Sequence, residues 1–312
     1  MRNSHVMIRN SNIKKQETLL FGVAITFRLG IFFALLWWSG QAGFMYPLQG
    51  SDANGYWRLA ENIVTKGELY TEDERFIHTR RPPGYPVFLA AFQLLPVTDQ
   101  TIQYAVSLAH ILLASISVAL LYRLMRHYTT ERVATWAGFF FALEPNSAYY
   151  STLLLSDALS VFLFIAFVYI FLTKESYSAF FCAGLLLGLS TLVRPIAQFF
   201  PAIAILFLFY SQGIQRIPIV RCAAFCIGVL ICTLPWMVHN KHVANSFDIS
   251  SSGPTTYYRY VIPSFVSWRT GNSYEATRRD AVSKFDAAIA SGAYAVPFMQ
   301  QQIAQTIRET PL

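Results

Sequence analysis

The sequence predicts an all-α membrane protein: a bundle of about seven transmembrane helices with interfacial helices in its first outer loop. Of the 312 residues, 54% are apolar and only 13% charged, and the mean hydropathy is +0.39. A soluble domain carries about 25% charged residues, so this chain has too little polar surface to cover a water-facing globule. Apolar runs near the length of about 20 residues that crosses a bilayer recur along it. Basic residues gather in alternate connections between those runs. A soluble enzyme, a disordered chain and a disulfide scaffold are excluded.

The expected spans are Leu19–Trp38, Ile102–Leu124, Val133–Tyr150, Thr152–Leu172, Ala179–Val193, Ile196–Tyr210 and Ile217–Val238. The polar start runs into the first of them without a small-residue cleavage pattern, which reads as a retained helix. Glu144-Pro145-Asn146 marks the outer end of the third. Pro195 divides a longer run, because proline lacks an amide hydrogen and disfavours helix in the residue before it. Pro82–Leu95 is apolar but short, which fits an interfacial or re-entrant helix. The positive-inside rule agrees. With that segment not crossing, Arg2, Arg9, Lys14 and Lys15, then Arg123, Arg126 and Arg132, then Lys174, Arg216 and Arg221 all lie inside.

This places the amino terminus inside. Residues 1–238 form the transmembrane domain, residues 39–100 a large outer loop, and residues 239–312 an outer-face carboxy-terminal segment. Polar mass is concentrated on one side, and no internal repeat of the carrier type is present. The net charge of +7 suits anionic headgroups or phosphate-bearing substrates and gives no solvated face for nucleic acid. Cys182, Cys222, Cys226 and Cys232 lie in apolar stretches without His or carboxylate at ligand spacing, as packing residues do. Chemistry at the outer surface is the expectation.

Ser51-Asp52-Ala53-Asn54-Gly55-Tyr56 opens the first loop, and apolar residues recur at Tyr56, Leu59, Ala60, Ile63 and Val64. That spacing is a short amphipathic surface helix, with Gly67 as terminator and Asp52 at its amino-terminal end. There Asp52 either caps the helix or supplies a catalytic carboxylate. Downstream, Arg80-Arg81-Pro82-Pro83-Gly84-Tyr85-Pro86 puts two guanidinium groups at the interface, to clamp a phosphate or to snorkel. Charges inside apolar runs are costly and face protein or a wet cavity. Asp157, six residues into its span, is expected roughly 8 Å below the outer end, lining a site or held in a buried pair. Arg28, near mid-span, is expected to pair with a carboxylate inside the bundle. Arg194, beside Pro195, binds phosphate or, more readily, snorkels. Trp236 reads as an interface anchor, and Tyr257, Tyr258 and Tyr260 as exposed aromatics able to stack on a sugar. Protease, esterase and nucleotide-hydrolase motifs are missing from the sequence.

The order of these features resembles the GT-C integral membrane glycosyltransferases of the family 39 type. These include protein O-mannosyltransferases, the bacterial transferase that adds aminoarabinose to lipid A, and rhizobial lipopolysaccharide-sugar transferases. The resemblance covers roughly residues 19 to 260, and its order and spacing carry it more than any one motif. It runs from the loop Asp52 through the basic Pro-Pro stretch, Ser156-Asp157 and Leu192-Val193-Arg194-Pro195 to Pro235-Trp236. It implies transfer of a sugar from a polyprenyl-phosphate donor to an envelope lipid, glycan or protein acceptor, with inversion. No cofactor is expected, and a divalent ion between Asp52 and Asp157 is the alternative should the two converge. By position, Asp52 is the implied catalytic carboxylate, Arg81 contacts the carrier phosphate, and Asp157 lines the same cavity. Arg80, Tyr56, Arg194 and His239 are further residues expected to bind substrate, from their place in the sequence and not from the resemblance. The chain departs from the family where Ala53 follows the Asp, where Arg80 replaces an acid, and where His239-Asn240 replaces Arg-Asn. Family members continue with further spans, so an end at Leu312 reads as a shortened member. A catalytically silent scaffold and a lipid or solute transporter are the alternatives.

Overall fold

The computed structural model describes residues 2–42, 46–47, 50–69, 79–212 and 219–309, with no strand among them. Arg216 and the side chains of Arg2, Arg9 and Ser51 lie outside the described residues. The chain divides into two compact units, residues 1–67 with 84–232, and residues 68–83 with 233–312.

In the first unit the helices are α1 (Arg2–Ala42), α2 (Gly50–Lys66), α3 (Gly84–Gln93), α4 (Asp99–Tyr128), α5 (Glu131–Ala142), α6 (Pro145–Tyr150), α7 (Asp157–Thr173), α8 (Tyr177–Val193) and α9 (Phe200–Gln212). They lead into α10 (Ile219–Ala244), whose residues from Thr233 onward belong to the second unit. Helix α4 is the hub and packs against α1, α3, α5 and α7. Its ends are well defined. Thr98 caps the start by accepting from the Thr101 N–H, with Asp99 in the first turn and Arg126 and His127 in the last, each charge matching the helix dipole.

Three helices are long and apolar enough to cross a bilayer: Ile13–Gln41, Asp99–Tyr128 and Ile219–Ala244. Asp157–Thr173, Tyr177–Val193 and Pro195–Tyr210 are apolar but shorter. The expected span Val133–Tyr150 is not one helix. Helix α5 stops at Ala142 after 12 residues, roughly 18 Å of rise and well short of the hydrocarbon thickness. Glu144 then accepts from the Asn146 N–H at 3.0 Å and from the Ser147 N–H, and Pro145 begins α6. A carboxylate cap and a proline at the first helical position together restart the chain.

Arg28 explains how the break is tolerated. It is fully buried; a carboxylate, Glu144, lies within electrostatic reach as the sequence predicts, while the hydrogen bonds go to carbonyls and a hydroxyl. Nη1 donates to the Ala142 carbonyl at 2.9 Å and the Ala24 carbonyl at 3.3 Å. Nη2 donates to the Phe141 carbonyl at 3.4 Å and the Ser147 hydroxyl at 3.3 Å. The last turn of α5 presents the negative end of its dipole, so it accommodates a guanidinium without a formal ion pair. Arg28→Met is therefore expected to lower the thermal midpoint in detergent, since each orphaned carbonyl costs about 1–3 kcal/mol. An unchanged midpoint by scanning fluorimetry would contradict this role.

A second correction concerns α7, which starts at Asp157 and not at Thr152. The preceding non-helical segment is accepted because α4 supplies donors to it. The Ser107 hydroxyl donates to the Thr152 carbonyl at 2.8 Å, and His110 Nδ1 meets the Leu153 carbonyl at 3.0 Å. Asp157 thus sits at the helix start and not a turn and a half inside a span.

The second unit contains the end of α10, then α11 (Ser252–Thr256), a π-turn (Tyr257–Val261), α12 (Ile262–Thr270), α13 (Tyr274–Ala290) and α14 (Ala295–Glu309). Its core joins Tyr258, Ala281, Phe285, Val296 and Met299. Two expectations fail here. Trp236 is buried and donates to the Ile249 carbonyl at 2.8 Å, so it tethers the following loop and anchors nothing at an interface. Tyr258 is likewise a core residue, its hydroxyl donating to the Ala281 carbonyl at 2.7 Å.

Burial pushes the Tyr258 phenol up to about 12, against about 10 for an exposed tyrosine. The folded state therefore holds this proton more tightly than the unfolded state does. The stability it supplies is complete below pH about 10 and is lost as pH rises through about 12. Tyr258→Phe is expected to cost about 0.5–1.5 kcal/mol near neutral pH, and the gap from wild type should close under alkali. Urea unfolding of both proteins across the alkaline range reads this directly; a gap independent of pH would contradict it.

Candidate active site

Helix α2 forms as the sequence predicts. Ala53, Trp57, Leu59 and Ala60 are buried on one face, and Gly67 ends the helix at φ +71° with its N–H on the Ile63 carbonyl. Asp52 lies in the first turn, exposed, at the positive end of the helix dipole. One turn on, Tyr56 meets the Tyr85 ring edge to face, with centroids 4.8 Å apart.

Tyr85 belongs to α3, ten residues long and so non-crossing. The start of α3 lies against the end of α8, since a Cβ on Gly84 would come within 2.7 Å of the Leu192 carbonyl. Only glycine allows that approach, which gives the Arg-Pro-Pro-Gly stretch a packing reason as well as a chemical one. The buried Tyr85 is within electrostatic reach of both Tyr56 and Asp157. It stacks on His110 at 5.7 Å, and His110 stacks on Phe88 at 5.6 Å.

Asp157 pairs with Arg194, the residue that ends α8. Their side chains are 34% and 45% exposed, so the pair is reachable from solvent and little of its attraction is lost to desolvation. Arg194 is extended before Pro195, and its guanidinium reaches the start of α7. The first unit thus brings Asp157 to Arg194, Tyr56 to Tyr85, and Tyr85 near Asp157.

The remaining predicted residues belong to the second unit. The Arg80 carbonyl accepts from the Ser250 and Ser252 hydroxyls, both at 2.6 Å, and the Ser251 N–H donates to the Thr79 carbonyl at 3.0 Å. The Ser-rich loop so fixes the backbone of the arginine pair, while Arg80 and Arg81 stay partly exposed. His239 is exposed and stacks on Trp236 at 4.9 Å. Next to it, buried Asn240 donates to the Asp248 carbonyl at 2.7 Å, and Gln300 donates to the Asp248 carboxylate at 2.6 Å. Among the described residues, no three His, Cys, Asp or Glu side chains converge as metal ligands would.

Sequence reasoning passes over Tyr85 and His110 as site residues. A signal for His110 exists, a titratable side chain in mid-span. Tyr85 follows Gly84 directly, and its role depends on a backbone approach that no pattern announces.

Long apolar helices, with a part-exposed acid–guanidinium pair at the ends of two of them, mark a membrane-embedded protein. The family model for dolichyl-phosphate-mannose-protein mannosyltransferases matches residues 80–239, half of the chain. The chain belongs to that family, whose members are membrane glycosyltransferases of the GT-C type. The match covers Arg80, Arg81, Asp157, Arg194 and His239, and begins after Asp52 and Tyr56. No curated protein sequence matches the chain.

Proposed function

We propose that the protein transfers a sugar from a polyprenyl-phosphate donor to an envelope lipid, glycan or protein acceptor at the outer face of the cytoplasmic membrane. The observation that carries this reading is the Asp157–Arg194 pair, held at the ends of apolar helices in a chain of this family. The amino terminus is inside in this reading, and the site faces the periplasm or exterior.

The chemistry needs two kinds of group. As the acceptor hydroxyl attacks the anomeric carbon it loses a proton, and the Asp52 carboxylate takes it. The bond from the anomeric carbon to the phosphate oxygen breaks, and the phosphate leaves with the electron pair. Its growing charge is met by Arg81 and Arg80, with Arg194 held in orientation by Asp157. One carboxylate acting as base implies a single displacement and inversion. Tyr56 and His239 border the sugar and acceptor. The leaving group is already a good one, and the arginines stabilise it further.

The test is mass spectrometry of envelope glycolipids and glycans from cells lacking the chain, with and without restoration. One hexose or pentose increment that depends on the restored chain supports transfer. No increment at matched expression contradicts it and favours a silent member acting as a scaffold.

A further inference from the structure

The second unit carries an aromatic face that its own core does not use. Tyr260, Val261, Ser264, Phe265 and Trp268 line one shallow groove along the π-turn and α12. Trp268 is 79% exposed, with Tyr257 and Tyr260 also exposed. The neighbouring charge is mainly basic. From Ile249 to Arg279 the sequence holds Arg259, Arg269, Arg278 and Arg279 against one acid, Glu275, and the next acid, Asp280, is paired with Lys284. The Arg278 guanidinium lies 5.5 Å from the Tyr260 ring.

The six tryptophans of the chain show what this exposure means. Trp57 and Trp236 are buried, whereas Trp37, Trp38 and Trp136 are exposed on the apolar helices α1 and α5. Trp268 has the same exposure on a helix that is too short and too polar to cross. Tryptophan and tyrosine collect at the headgroup level, where an apolar ring with a polar edge meets both phases. Arginine beside them matches anionic headgroup phosphate. A sugar platform usually fixes hydroxyl groups with amide or carboxylate side chains, and the groove lining holds neither, only the Ser264 and Tyr260 hydroxyls and the Trp268 ring N–H.

We infer that the Tyr257–Trp268 face is an interfacial anchor that rests on anionic lipid headgroups, keeping the second unit on the bilayer surface. The inference is independent of the transfer reaction.

The full chain would be reconstituted in phosphatidylcholine vesicles containing phosphatidylglycerol, with some lipids brominated near the headgroup end of the acyl chain. The emission lost in Trp268→Phe isolates the Trp268 signal. That signal is expected to be roughly halved by brominated lipid and shielded from aqueous acrylamide. Arg269→Gln with Arg278→Gln should reduce the quenching several-fold in these anionic vesicles and leave it unchanged in neutral ones. A Trp268 signal quenched by acrylamide and indifferent to bromine would overturn the inference. So would a signal that responds only to added soluble oligosaccharide, which would assign the face to glycan binding.

Discussion

Asp52→Asn is expected to abolish sugar transfer, by about 10²–10⁴-fold, without loss of folded protein. Asn keeps the size and hydrogen-bonding shape of Asp and is as good a residue at a helix start, so α2 should survive. Its buried face, formed by Ala53, Trp57, Leu59 and Ala60, is untouched. What Asn cannot do is accept a proton from the acceptor hydroxyl near neutral pH. A structural cap makes the opposite prediction: Asp52→Asn would keep activity, and Asp52→Ala would lose stability. The sugar increment in envelope glycolipids, measured beside the amount of folded protein, separates the two.

Gly184→Leu should prevent the first unit from assembling, the largest structural effect we expect of one substitution. A Cβ built on Gly184 overlaps the Phe225 carbonyl, and one on Gly228 overlaps the Phe181 carbonyl. On Gly188 it would lie 2.8 Å from the Cys232 Cβ. Helices α8 and α10 therefore touch backbone to backbone, as small residues permit in membrane bundles. Even Gly184→Ala should cost about 1–3 kcal/mol, because the opposing atom is a carbonyl that cannot rotate away. Gly22 in α1 is the control, with nothing within 4 Å of an added Cβ, so Gly22→Ala should be neutral or slightly stabilising. Monodispersity and thermal midpoint in detergent read all three. Equal behaviour of Gly184→Ala and Gly22→Ala would contradict the close crossing.

The sequence is most informative where pattern and backbone agree. Helix α2, its Gly67 terminator, the non-crossing α3 and the break at Pro195 were all legible, because apolar period and punctuating residues act locally. Asp157 starts its helix and does not lie inside it, a point the sequence hides because Thr152–Ser156 is as apolar as a helix. The distant Ser107 and His110 side chains help its carbonyls to remain non-helical. Arg28 was legible only in part: a charge in a span calls for a counter-charge, which Glu144 supplies, but its hydrogen bonds go to the end of a broken helix that no pattern announces. Arg194 and Asp157 were each flagged in the sequence, but their pairing spans 37 residues and is a product of how α7 and α8 pack. Trp236 and Tyr258 look like interface aromatics in composition and turn out to be core residues through one hydrogen bond each.

The central claim is that the chain moves a sugar off a lipid carrier, and reconstitution reads it most directly. Purified full-length protein in vesicles would be supplied with a radiolabelled polyprenyl-phosphate-linked sugar and an envelope extract as acceptor. The account predicts label in an acceptor with the anomeric configuration inverted relative to the donor, and none with Asp52→Asn. Folded wild-type protein that leaves all label on the carrier, across hexose and pentose donors, would contradict it.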